Sequence, residues 1–197
     1  AAGGTGLNEY ALKALNDIQT AAENGKLTPR LVDCAFDKAA YRDVADRISK
    51  RGIAPAVKEY FTARADLTNI TSLARTLAIG AGYDFFADCF VDGGEIPEER
   101  FRRAFRENES PYQLLRLTKL RTEADHADSV AALEKIKDDY LMSLFTASRS
   151  DMFTVQPIMG YYLGKKTEIK MLRVALVCIK NGVPREEIRK RMRKLYA

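Results

Sequence analysis

The sequence predicts an all-α fold made of two similar helical lobes of about 100 residues each. Apolar residues recur at three- and four-residue spacing in almost every segment longer than ten residues, and no run shows strict alternation. Glycine and proline fall between those segments, where helices end and begin. The chain has 197 residues, 46% hydrophobic and 30% charged, the balance of a globular protein.

Taken in order, Leu7 to Ala22 reads as a first helix, stopped by Asn24-Gly25. Thr28-Pro29 opens a second helix through Val32, Phe36, Ala40 and Val44, as an N-cap followed by proline would, and Gly52 ends it. Further helices are expected over 54–63, 66–79, 97–107, 111–122, 128–147, 155–164, 167–180 and 185–196, with Gly80, Gly82, Gly93-Gly94 and Gly182 at the breaks. Asp66 and Glu168 then fall in first turns, where the helix dipole favours a carboxylate.

The chain also resembles itself at an offset of 102. Pro55, Tyr60, Phe61, Asp66, Leu67, Ile70, Leu77 and Gly80 align in order with Pro157, Tyr162, Leu163, Glu168, Ile169, Leu172, Ile179 and Gly182. Beyond the glycine, Ile96-Pro97-Glu98-Glu99 matches Val183-Pro184-Arg185-Glu186 at an offset of 87, so an insertion of 15 residues lies around Ala81 to Glu95. In each copy a stripe (Leu67, Ile70, Leu73, Leu77; Ile169, Leu172, Leu176, Ile179) reads as a core face. The expected organisation is a lead-in helix over 1–27, one lobe over 28–108 and a second over 109–197. The lead-in resembles material from an earlier unit, and the start, without methionine, suggests a piece of a longer chain whose amino-terminal lobe is missing.

No stretch approaches the roughly 18 uninterrupted apolar residues of a membrane-spanning helix, and the start lacks the basic and apolar regions of a signal peptide. A cytosol-facing chain is expected. Its three cysteines, Cys34, Cys89 and Cys178, are far apart among apolar neighbours and read as buried thiols.

Catalytic chemistry finds little to work with. The one histidine, His126, reads as a solvated loop or helix-end residue. Its neighbours Asp125 and Asp128 lack a second histidine or cysteine pair with metal-ligand spacing. The run Gly160-Tyr-Tyr-Leu-Gly164-Lys165-Lys166-Thr167 lacks the glycine and hydroxyl positions of a phosphate loop and lies in a helical pattern. No catalytic residue, cofactor, metal or small-molecule substrate is expected. Charge is the remaining signal: from Lys165 onward 11 Lys and Arg face 3 Asp and Glu, while the whole chain carries +5. The basic C-terminal helix, with Arg185, Arg189, Lys190, Arg193 and Lys194, is the candidate interface, its Ile188, Met192 and Leu195 pointing inward. Basic helices also meet nucleic-acid phosphates, so a helical nucleic-acid-binding domain is the alternative reading.

Two motif regions carry a resemblance to a known family. Glu59-Tyr-Phe61 followed by Asp66-Leu67-Thr68-Asn69-Ile70-Thr71-Ser72-Leu73-Ala74-Arg75 resembles the "Asp-Leu-x-Asn-Ile-x-x-Leu-x-Arg" helix of the C-type subunits of archaeal and bacterial vacuolar-type ATPases, counterparts of the eukaryotic d-type subunits. Gln156-Pro157, Tyr161-Tyr162-Leu163, Glu168-Ile169, Leu172-Arg173, Asn181-Gly182-Val183-Pro184 and the closing Ile188 to Arg193 are similar to that family's carboxyl-terminal repeat. Phe90-Val91-Asp92-Gly93-Gly94-Glu95-Ile96 is similar to its Pro-Gly-Gly loop, with Asp92 in place of proline, and Met171 replaces a usual asparagine. The resemblance implies a three-lobed, non-catalytic adapter of a rotary ATPase or ATP synthase. It would lie peripherally on the cytoplasmic side of the membrane, where it would join the central-stalk subunits to the membrane proteolipid ring and couple ATP hydrolysis or synthesis to ion transport. No nucleic acid is then a partner.

Overall fold

The computed structural model describes residues 8–50, 52–146, 149, 153–194 and 196. All regular elements among them are helical, so the all-α expectation holds. Helices α1 (Glu9–Glu23) and α2 (Pro29–Ser49) form an antiparallel pair. Leu7 lies outside the described residues, and α1 is capped by the Asn8 side chain, which accepts from Ala11 N at 2.8 Å. Thr28 caps α2 in the same way, accepting from Leu31 N at 3.2 Å with Pro29 in the first turn.

Helix α3 (Pro55–Ala78) runs unbroken across what sequence spacing divided into 54–63 and 66–79. The junction, Arg64-Ala65, is made of good helix formers with neither glycine nor proline, so nothing stops the helix there. Asp66 is therefore a mid-helix residue, not an N-terminal one, and it is buried. Its carboxylate accepts from the backbone N–H of Glu95 and of Ile96, each at 3.0 Å. One turn on, the fully buried Asn69 donates to Val91 O at 2.8 Å and accepts from Val91 N at 2.9 Å. The two side chains thus staple the inserted segment to α3. A Cβ at Gly94 would overlap the Asp66 carboxylate, and Gly93 has φ +99°, so this approach needs both glycines.

The inserted segment holds a helix that sequence spacing did not predict, α4 (Tyr83–Ala87). It is gripped from the other side by α2 through residues four apart. Arg30 reaches Phe85 O at 3.0 Å and Asp88 at 2.7 Å, Lys38 donates to Ala87 O at 2.9 Å, and Arg42 pairs with Asp92 at 2.6 Å. In the same row Cys34 and Cys89 are joined by a disulfide with Cα atoms 4.8 Å apart. This corrects the expectation of buried thiols for those two: their separation of 55 in sequence hid a juxtaposition created by the α2 grip. Cys178 is free and buried, as expected.

Helix α5 (Glu98–Arg106) comes next, then two 3₁₀ segments, Pro111–Leu117 and Arg121–Asp125, where one helix over 111–122 was expected. Thr118 breaks it: its hydroxyl donates to Leu115 O at 2.8 Å and accepts from Leu120 N at 3.1 Å, offering the backbone a local alternative to the helix. Helix α6 (Val130–Thr146) lies beyond them. The main core lies where α3 meets these elements, with Leu67, Ile70, Leu73, Phe86, Phe101, Leu114, Leu115 and Leu133 together in one cluster. A second cluster joins Tyr60, Leu141 and Phe145 to Phe61, Met159 and Leu163.

Helix α7 (Gln156–Lys180) likewise merges the predicted 155–164 and 167–180, because Lys165-Lys166 offers no stop. It ends as α3 does. Gly80 and Gly182 have φ +67° and +68°, and the bonds Ala81 N to Thr76 O and Val183 N to Cys178 O close matching turns. Helix α8 (Arg185–Arg191) is shorter than the 185–196 expected. Met192 is extended, and the chain turns back as a strap whose Lys194 N donates to Asp139 at 2.7 Å. Tyr196 then lies on α7 where Gly160 and Gly164 leave room, since a Cβ at Gly160 would overlap its ring and one at Gly164 the tyrosine Cβ. The glycines that superficially suggested a phosphate loop are a helical seat for an aromatic ring.

Candidate docking surface

His126 is exposed at the end of the second 3₁₀ segment. No group of three or more His, Cys, Asp or Glu fit to hold a metal occurs among the described residues. Among them, too, no helix is long and apolar enough to cross a membrane.

Glu59 is the most engaged acid, and its role is structural: its carboxylate binds Lys119 and accepts from Tyr140 OH at 2.6 Å, tying α3 to the 3₁₀ region and α6. Burial alone would raise its pKa. The two donors outweigh that and hold it below the usual carboxylate range. For Asp66 the balance reverses, because burial outweighs its two backbone donors and pushes the carboxyl up.

The outstanding surface feature is α7. Its Ile169, Leu172, Leu176 and Ile179, read from the sequence as a core face, are exposed, Leu172 at 64% and Leu176 at 66%. The equivalent α3 residue Ile70 is 0% exposed. The cause is the chain downstream of each helix: α5, the 3₁₀ segments and α6 close over the α3 stripe, whereas α7 buries its opposite face, Gly160, Gly164, Met171 and Cys178. Ile158, Tyr161 and Tyr162 extend the exposed stripe toward the start of the helix. Contiguous apolar surface of this kind marks an interaction site. Spacing could find the stripe but not its exposure, because a buried and an uncovered helix face have the same period.

The basic candidates follow α7 in the chain and are in different states, the contacts of their segment running to α6 and to Cys178 on the buried face of α7. Arg185 is exposed with no ion pair among the described residues. Arg189 and Lys190 are exposed but pair along α8 with Glu186 at 3.3 Å and Glu187 at 2.7 Å. Arg193, its side chain only 10% exposed, pairs with Asp138 of α6 at 3.0 Å and donates to Arg191 O, so it anchors the strap. Lys194 is exposed, its backbone N–H held by Asp139. Ile188 and Met192 are half-buried, as an inward face requires, while Leu195 lies outside the described residues. A seven-residue helix with two of its cations already paired is a poor reader of a groove.

Comparison with known proteins points the same way as the motifs. The family model described as ATP synthase (C/AC39) subunit matches residues 1–191. The C subunit of the V-type sodium ATPase of Enterococcus hirae is 28% identical over 148 residues, which cover 72% of this chain and 45% of that protein. The chain thus spans about half the length of the curated relative it matches. No solved structure matches.

Proposed function

Because the chain belongs to the ATP synthase C/AC39 subunit family, we propose that it acts as a non-catalytic adapter in the central stalk of a rotary V/A-type ATPase. A C-type subunit is an accessory part of such an ATPase, so the chain is not an enzyme by itself. As an adapter it sits peripherally on the cytoplasmic side of the membrane. There it joins the central-stalk subunits to the proteolipid ring and passes torque between ATP turnover and ion translocation. Residues 28–108 and 109–197 are its two repeat units; the matched ends of α3 and α7 support the repeat, while one core packs residues of both units together.

The observation that carries this reading is the uncovered apolar stripe of α7. Apolar area supplies affinity, and the exposed cations Arg185, Arg189, Lys190 and Lys194 favour an acidic partner surface. Arg193 contributes by holding the strap in place. Close-packed helices suit the mechanical role because protein interiors are hardly compressible.

Calorimetric titration with the purified central-stalk subunits of the same ATPase tests the proposal. One-to-one binding is expected, weakened roughly tenfold or more by the double change Arg185→Glu and Arg189→Glu. Absence of binding by the unaltered chain, together with binding to DNA that falls steeply with salt, would overturn it.

A further inference from the structure

A cavity of about 370 Å³ opens between α2 and α3 on one side and α6 and α7 on the other. Four cations line it, Arg64, Lys137, Lys166 and Lys170, against two carboxylates, Asp37 and Asp138. Asp138 is already committed, to Lys170 at 2.7 Å and to Arg193 at 3.0 Å. Asp37 is exposed and makes no ion pair or hydrogen bond among the described residues.

The other cations make no ion pair among the described residues. Arg64 is half-buried, yet its neighbours are phenols: it donates weakly to Tyr60 OH at 3.4 Å and lies 5.8 Å from the Tyr41 ring centre. Lys137 is half-buried too, and its ammonium makes no hydrogen bond among the described residues. Burial pushes its pKa down against the opposing pull of Asp138 and Glu134. Desolvated cations are ordinarily paired. Here two of them, on α3 and α6, face a space large enough for a small ligand. Lys166 adds an exposed cation, while Thr68, bonded to Tyr41 OH at 3.1 Å, adds a hydroxyl group.

We infer that this cavity binds a small phosphate polyanion, gripped by Arg64 and Lys137 with Lys166 at its mouth. A single halide would leave most of the volume empty, whereas a diphosphate or nucleotide tail spans several cations at once. The planar Arg64 guanidinium can hold two phosphate oxygens together. Since the walls come from α2–α3 and from α6–α7, the bound anion bridges the two halves of the chain.

The test uses the full chain at matched ionic strength with three probes: pyrophosphate, ATP, and phosphatidylcholine vesicles containing phosphatidylinositol 4-phosphate. Saturable one-to-one binding of pyrophosphate or ATP with a raised melting temperature is expected; response to the vesicles alone assigns the same cations to a lipid headgroup. Arg64→Gln and Lys137→Met should each weaken binding roughly tenfold or more, the loss of a charge-assisted contact. Lys180→Met, outside the cavity, should leave it unchanged. The ligand-free Lys137→Met chain should melt no lower than its parent, because it loses a desolvated ammonium that makes no hydrogen bond or ion pair among the described residues. The inference is overturned if no probe gives saturable binding, if Lys137→Met binds like the parent, or if that variant melts several degrees lower without ligand.

Discussion

Asp66 and Asn69 place three polar groups inside an apolar helix packing, and each is satisfied by backbone of the inserted segment. Asp66→Asn keeps the shape but leaves one acceptor for two N–H donors, turning the amide NH₂ toward one of them. Urea denaturation should show a loss of about 1–3 kcal/mol, the cost of an unsatisfied buried donor. A neutral or stabilising result would mean that burial of the charge outweighs both hydrogen bonds. The motif around these residues was visible in the sequence, but its purpose was not, because the atoms it holds lie 22 to 30 residues further on. The second repeat agrees with the role now seen. It has no insertion, and Met171 stands where Asn69 would have a loop to hold.

At the scale of the element, α3 and α7 are the same design in different surroundings. Proline starts and glycine ends were readable from local chemistry, since proline suits a first turn and a left-handed glycine closes the last. The breaks placed near residues 65 and 166 were not real, because an acidic residue inside a helix reads like one at its start unless its partner is known. Equivalent stripe positions should therefore differ in cost. Ile70→Ala is expected to destabilise by about 2–5 kcal/mol, as core truncations do, while Leu172→Ala should stay within about 0.5 kcal/mol, as exposed sites do. Chemical denaturation of the two variants measures both. Equal losses would mean that the α7 stripe is covered in solution.

For the whole molecule, the helical class and the order of long elements were legible from periodicity, whereas the grip of α2 on the inserted segment is a meeting of residues about 50 apart. That grip has a covalent and a non-covalent part: the Cys34–Cys89 bond lies in the same row as Arg30–Asp88 and Arg42–Asp92. The ion pairs do not depend on redox state, so the joint remains in place in a reducing compartment. The bond also makes residues 34–89 a closed loop of chain. A single protease nick after Lys50, at the end of α2, should yield one band on a denaturing gel without thiol and two with it. Under native conditions the nicked chain should elute as one particle either way. Covalent continuity of the backbone and integrity of the particle are thereby separable properties of this protein.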